Sequence, residues 1–320
     1  MLKPEKLERN DTVAIVAPSQ AAREETVNRA IKTIQVLGLK PVVYRSCYLI
    51  EDNFNVPDKS RAEDINKAFG DPSIKGIISL KAASGTLSLL SLIDYKMIKS
   101  NPKIFMGFSD ITGVHLALNK LCNLVTFHGP LATSSILVKD KNSLEIDAYT
   151  YKYLYKNLFT DKPLGIIENP PGEQLECLCP GTARGKIIGG NLTLLSQTID
   201  TKYDVDAKDK ILFIEDWGES LENISSMLKK LAKTHKFEEC AGIILGTWVK
   251  CGEEYANTRE RELRLRAVFN EMLVPYGKPV LSNLRGGHNV PMITLPFGVD
   301  VELDAEKKEI NFVESANRET

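Results

Sequence analysis

Three kinds of side chain in this sequence could together do acyl-transfer chemistry. The first is a serine in Ile104-Phe105-Met106-Gly107-Phe108-Ser109-Asp110-Ile111-Thr112. Apolar residues run into a glycine, the serine follows two places later, and a helix-compatible segment comes next. A strand that ends in a tight turn at the head of a helix projects a nucleophile in this way. The backbone N–H groups just after such a turn have no helical partner and can stabilise an oxyanion. The same pattern also describes a strand, a glycine turn and Ser109 as an ordinary helix N-cap. A nucleophile therefore has to be argued from a base, an acid and a pocket.

The chain holds four histidines, so the base can be sought among them. His115 lies six residues after Ser109 on the same expected helix and is rotated well away from it. His235 sits in the charged stretch Lys233-Thr234-His235-Lys236 and is expected to face solvent. His128, after a fifth strand, and His288, in Arg285-Gly286-Gly287-His288-Asn289, both remain candidates. For the acid, Glu215 and Asp216 stand at the end of the apolar strand 211–214, a rigid place from which to aim a carboxylate. Alternation along a strand points these two to opposite faces, and nothing local chooses between them. Asp216 or Ser220 could equally cap the following helix.

These residues need a scaffold, and the pattern supplies one. Val13 to Ala17 is a short apolar run of the kind buried on both faces of a parallel sheet. A helix is expected over Arg23 to Leu37, then a strand at Pro41 to Tyr44. Ser60 with Glu63 reads as a capping box opening a helix that runs to Phe69. A third strand is expected at Gly76 to Leu80 and a helix from Thr86 to about Ile98. The strand at Ile104 precedes a helix through Leu118, and Leu124 to Phe127 is a fifth strand. Alternation at this period predicts a parallel sheet with helices on both faces. Ligands of such sheets bind at the carboxyl ends of the strands, where Ser19, residues 81–85 and Ser109 all fall.

A polar, tyrosine-rich region at about 139–163 leads to Asn169-Pro170-Pro171-Gly172, the clearest linker by its breaker residues. Two domains are expected, 1–163 and 164–320. In the second, strands are predicted at 175–179, 183–188, 211–214 and 242–246, with two more between Pro296 and Val313. Helices are predicted from Leu192, from Ser220 to Leu231, and after Asn257 with a buried face of Leu265, Val268, Phe269 and Met272. This domain reads as mixed, its short strands curling into a compact sheet or barrel.

Composition bounds the function. The 320 residues are 43% hydrophobic and 26% charged, with net charge −1. That is ordinary for a globular protein and speaks against nucleic-acid or membrane-surface partners. No apolar run is long enough to span a bilayer, and the charged MLKPEKLERND start lacks a signal-peptide core, so the cytoplasm is the expected compartment. The six cysteines lack metal-site spacing and are expected to be free thiols.

Five ordered motifs then carry a resemblance: Gly107 to Thr112, Thr126-Phe127-His128-Gly129-Pro130, Gly189-Gly190-Asn191-Leu192, Phe213-Ile214-Glu215-Asp216 and Gly287-His288. Together they resemble the LD-carboxypeptidases, serine peptidases of the muramoyltetrapeptide carboxypeptidase type. The resemblance runs from Val13 to Gly298. It implies Ser109 as nucleophile, His288 as base, Glu215 as orienting carboxylate and the Asp110 N–H as half of an oxyanion hole. It implies an α/β N-terminal domain, a small barrel-like C-terminal domain, an active site between them, and commonly a homodimer. The implied activity is metal-free and cofactor-free removal of the terminal D-alanine from L,D-linked murein tetrapeptides in cytoplasmic recycling.

One place departs from the family. After the third strand the family usually carries Arg-Gly-Gly-aromatic-Gly, beside the serine, as second oxyanion donor and substrate wall. Here the residues are Lys81-Ala82-Ala83-Ser84-Gly85. Ala83 keeps an N–H, but the loss of the arginine fork and the aromatic bears on substrate choice. Lys81, Ala83 and Gly85 are the expected oxyanion and substrate-binding residues of this loop. The altered loop keeps two other readings open, a microcin-immunity type peptidase acting on another amide and a catalytically weak peptide-binding homologue.

Overall fold

A computed structural model describes residues 1–49, 56–133, 146–255 and 257–318. Part of the tyrosine-rich region, 139–145, lies outside the described residues. The chain forms two compact units. One comprises Met1–Lys162, Val290–Gly298 and the chain from Ser315 onward; the other comprises Pro163–Asn289 and Val299–Glu314.

The first unit is built on a six-stranded sheet with spatial order β12-β5-β4-β3-β1-β2. Its strands are β1 (Thr12–Val16), β2 (Lys40–Val43), β3 (Ile74–Ser79), β4 (Ile104–Gly107), β5 (Thr126–His128) and β12 (Leu295–Phe297). The first five pair in parallel, and β12 closes the edge antiparallel to β5. Every residue of β4 is buried, as a strand covered on both faces requires. Strand order reverses direction between β1 and β3, so the loops after these strands flank the switch point where such sheets place ligands.

The second unit carries an eight-stranded mixed sheet, order β6-β14-β13-β8-β9-β10-β11-β7, curled like a half-barrel. Its strands are β6 (Gly165–Ile166), β7 (Glu176–Cys179), β8 (Thr182–Asn191), β9 (Ile211–Trp217), β10 (Gly242–Val249), β11 (Val280–Ser282), β13 (Asp300–Asp304) and β14 (Glu309–Phe312). Strands β8 to β11 are parallel neighbours, and the flanking strands are antiparallel. The fold is therefore α/β, with a parallel-sheet N-terminal unit and a mixed, barrel-like C-terminal one.

Several local expectations are corrected. The helix expected to start at Ser60 runs over Asp58–Gly70 from Pro57, with no side-chain cap, so Ser60 lies inside it and forms no capping box. The single helix expected over 86–98 is three pieces: Thr86–Leu89, a tight turn Leu90–Leu92, and Tyr95–Ser100 capped by Asp94, which accepts from the Met97 N–H. Asp94 competes for the backbone and restarts the helix. The tyrosine-rich stretch contains the helix Ala148–Phe159, capped by Asp147. Of the face expected on Thr258–Leu273, Phe269 is buried together with Leu273, and Leu265, Val268 and Met272 are only half-buried. The tail supplies three strands rather than two. The first of them joins the N-terminal sheet, so the chain crosses between units more often than one cut after residue 163 allows.

All six cysteines are free, five of them buried. Among the described residues no cluster of His, Cys, Asp or Glu is placed to hold a metal ion. No described helix is long and apolar enough to cross a membrane.

Candidate active site

Ser109 stands where β4 ends, half-buried, with φ +63°. It opens a tight turn, Ser109–Ile111, that leads into the helix Thr112–Ala117. A non-glycine residue in the left-handed region is held there by its surroundings, and the strand–turn–helix setting is the one that projects a nucleophile. Those surroundings are visible. A Cβ on Gly107 would come within 2.9 Å of both Ile111 Cγ2 and Ser79 Oγ, so only glycine lets the chain pass there. The Gly107 carbonyl accepts from His115 Nε2 at 2.8 Å. A carbonyl can only accept, so Nε2 carries the ring proton. His115 is fully buried and serves the turn from beneath, away from any base role; burial pushes its pKa down to about 4.

Asp110 is buried. Its Oδ2 accepts from the Thr86 N–H at 3.2 Å and its carbonyl from Thr86 Oγ1 at 2.5 Å. Burial raises its carboxyl pKa, against the pull of hydrogen bonds from Ser19 and Thr86 and of the Arg61 charge. The loop at 81–85 is tied down by two residues that sequence reasoning had not selected for this purpose. The Ala83 N–H donates to Ser19 Oγ at 2.8 Å, and Ser19 Oγ donates to the Ser84 carbonyl at 3.1 Å. Arg61, 4% exposed, donates through Nη1 to the carbonyls of Pro18 (2.7 Å), Ser19 (3.2 Å) and Gly85 (3.0 Å), and through Nη2 to Asp58 and Ser88. It thus stitches the loop after β1 to the loop after β3. A signal was present: Arg61 falls in helical register with Ile65 and Ala68, a charge on an apolar stripe. Gly85 takes the left-handed φ of +106° that glycine tolerates, and Lys81 Nζ reaches Gln20 Oε1 at 3.5 Å.

In the second unit Glu215 and His288 meet. His288 Nδ1 lies 2.8 Å from Glu215 Oε2, with the carboxylate completely buried and the imidazole side chain 14% exposed. Glu215 Oε1 accepts no hydrogen bond among the described residues, so the carboxylate is committed to the histidine. Burial alone would lower the His288 pKa; the neighbouring Glu215 charge and hydrogen bond, with Asp216 behind them, outweigh it and raise the pKa. The histidine loop is positioned by Thr247, whose N–H and Oγ1 both donate to the Gly286 carbonyl, at 2.9 and 3.0 Å. His128, the other candidate, is fully buried among Phe108, Phe297 and His115, and His235 is exposed and pairs with Glu238.

Strand alternation gives the two acids different partners. Asp216 turns the other way and accepts from Asn191 Nδ2 (2.7 Å), the Trp217 N–H (2.8 Å), and Thr193 through N–H (3.0 Å) and Oγ1 (2.9 Å). It braces the start of the helix Leu192–Gln197, the one before it in sequence, while Ser220 caps the helix after it. Burial, then the Glu215 charge, pushes Asp216 up to about 6.

The N-terminal domain model of the LD-carboxypeptidase family matches residues 13–129, and its C-terminal domain model matches residues 184–303. A probable murein peptide carboxypeptidase of Bacillus subtilis is 31% identical over 96% of this chain and 92% of its own length. The microcin C7 self-immunity protein MccF of Escherichia coli is 27% identical over 95% of this chain and 93% of its own. The crystal structure of an MccF-like protein from Bacillus anthracis superposes with a TM-score of 0.87 at 26% identity, covering 98% of this chain and all of that one. With both domain models matched in order and a relative this similar along nearly its whole length, the chain belongs to the LD-carboxypeptidase family.

Proposed function

We propose that this protein is a serine peptidase that removes the terminal D-alanine from L,D-linked murein tetrapeptides. The observation that carries the reading is the buried Glu215–His288 pair, a histidine whose tautomer is set by a committed carboxylate. With Nδ1–H donating to Glu215, Nε2 is the basic nitrogen. It takes the Ser109 proton as the hydroxyl attacks the scissile carbonyl, and Glu215 stabilises the imidazolium that results. The same Nε2–H then protonates the leaving D-alanine nitrogen, and water hydrolyses the acyl-enzyme. Backbone N–H groups hold the tetrahedral oxyanion, that of Asp110 first. The Ala83 N–H becomes a second donor on exchanging its bond to Ser19 Oγ for one to substrate. Each step uses groups of this chain and water. The reading includes a cytoplasmic homodimer engaged in cell-wall recycling.

A second reading, an amide hydrolase of the microcin-immunity type, is favoured by the similarity to MccF and by the Lys81–Gly85 loop. Incubation of purified protein with murein tetrapeptide, measuring free D-alanine, separates the readings. Wild type is expected to release it, and Ser109→Ala to be slower by roughly 10⁶-fold, the usual cost of a lost triad nucleophile. Equal rates would remove Ser109 from the mechanism. Absence of release with hydrolysis of an aminoacyl sulfamoyl nucleoside would establish the second reading, and inertness toward both a peptide-binding role.

A further inference from the structure

A carboxypeptidase must neutralise the free carboxylate of its substrate, and around His288 the fixed charge has the wrong sign for that. Glu215, Asp216 and Glu219 fall within five residues, the first two buried. The Glu219 carboxylate bonds to two neutral groups, Thr193 Oγ1 and Asn223 Nδ2, and makes no ion pair among the described residues. A peptide carboxylate brought toward this cluster is repelled unless a cation accompanies it.

Lys250 meets the requirement. Its Nζ lies 5.3 Å from the centre of the Trp217 ring, within cation–π range. The Trp217 ring centre is in turn 6.3 Å from that of His288, the planes inclined by 33°. These two contacts place the ammonium within about 12 Å of the imidazole centre. The atom that receives a proton from His288 is the nitrogen of the leaving residue, and its carboxylate lies one residue length further, about 3.5 Å. Adding an ion-pair contact of about 2.8 Å keeps the span within the reach of a lysine side chain. Trp217 is 48% exposed, although it ends an otherwise buried strand. Lys250 is also exposed, has φ +54°, and makes no ion pair among the described residues. Arg285, on the histidine loop itself, is already engaged by Glu173 at 3.0 Å.

We propose that Lys250, seated on the face of Trp217, is the cation that binds the terminal carboxylate of the peptide. The assignment rests on the reading of His288 as the base. It makes Lys250 a specificity residue that separates free-carboxylate peptides from amidated ones, with Trp217 as the wall that orients its ammonium.

The test compares wild type, Lys250→Met and Lys250→Arg on murein tetrapeptide and on its C-terminal amide. Lys250→Met is expected to raise KM for the free acid by about 10- to 100-fold with kcat nearly unchanged, and to leave the amide as in wild type. Lys250→Arg restores the preference. An unchanged KM, or equal loss on both peptides, overturns the proposal. A binding arm keeps it separable from the peptidase reading: tryptophan fluorescence is titrated with N-acetyl-D-alanine and with its amide. If wild type binds the acid about tenfold or more tighter and Lys250→Met abolishes the difference, Lys250 stands even where no peptide is cleaved. Equal affinities in wild type remove it even where cleavage is observed.

Discussion

Gly287 and Glu215 are in a contact that only glycine permits. A Cβ on Gly287 would lie 2.5 Å from Glu215 Oε2 and 2.9 Å from Thr247 Oγ1, and the residue has φ +120°. The oxygen that would be struck is the one bonded to His288. Gly287→Ala is therefore expected to separate the pair, lowering kcat by about 100-fold or more, as small misplacements of catalytic groups do. The strained backbone would cost about 1–3 kcal/mol. Steady-state kinetics and a thermal melt check this; a variant with wild-type kcat would show that the glycine is not needed for the pairing.

The pH dependence follows from the same pair. In the proposed role of base His288 must be neutral, and its pKa is raised above 6.5 because Glu215 outweighs burial. The acid limb of kcat/KM is thus expected above pH 6.5, with activity lost as pH falls through it. Glu215→Gln should move that limb to lower pH and slow catalysis by roughly 10⁴-fold, the cost of a wrong tautomer in such triads. For stability the sign is opposite: the folded state holds the proton more tightly, so the contribution is complete below pH 6.5 and fades as pH rises through the folded value. A limb that stays in place in Glu215→Gln would contradict the coupling.

Asp216 is expected to matter through its neighbours. It accepts four hydrogen bonds, from Asn191, Thr193 (two) and Trp217. In Asp216→Asn an amide NH₂ must face one of those donors, leaving buried polar groups unsatisfied at about 1–3 kcal/mol. Chemical denaturation should show that loss, with the midpoint falling and the m-value unchanged.

His115 supplies an acid-sensitive element of the first unit. Burial holds it neutral down to about pH 4, whereas the unfolded chain takes up the proton near pH 6.5. Stability should fall as pH drops from 6.5 toward 4, with a one-proton slope of about 1.4 kcal/mol per pH unit. His115→Gln keeps an N–H for the Gly107 carbonyl and removes the titration, so that slope should disappear from its unfolding curve. Its persistence would assign the acid sensitivity elsewhere.

Arg61 holds three loop carbonyls, those of Pro18, Ser19 and Gly85, with one guanidinium nitrogen. Its second nitrogen, Nη2, donates to Asp58 and Ser88 at the same time, and the single ammonium of lysine cannot serve both sets of partners. Arg61→Lys is expected to lower stability by about 2–4 kcal/mol and to lower kcat by loosening the 81–85 loop. Limited proteolysis within that loop, faster in the variant, provides an independent readout; unchanged cleavage would separate Arg61 from the loop.

Local pattern determined much of this protein. Alternating apolar runs and helical stripes placed the strands of the first sheet, because parallel strands buried on both faces leave a continuous hydrophobic record. The motif at Ile104 to Thr112 marked Ser109, since glycine and a following helix are what the turn requires. Asn257 and Ser220 announced their helices through capping chemistry, which is confined to four residues. Beyond those distances local pattern was silent, and only the family resemblance linked Ser109, Glu215 and His288. Asp94 interrupted a helix that periodicity ran straight through, and Leu295 to Phe297 joined a sheet whose other strands precede it by more than 160 residues. Local pattern left Glu215 and Asp216 equivalent and only the family resemblance pointed to Glu215; in the fold, Asn191 at the end of β8 and Thr193 on the 192–197 helix claim the Asp216 carboxylate, and the glycine loop brings His288 to Glu215. Local pattern likewise kept His128 beside His288 as a candidate and the resemblance favoured His288; in the fold aromatic rings close around His128. Hydrogen-bond partners 73 residues apart, as Glu215 and His288 are, depend on directions that no local preference encodes; only the folded chain brings both side chains to one point.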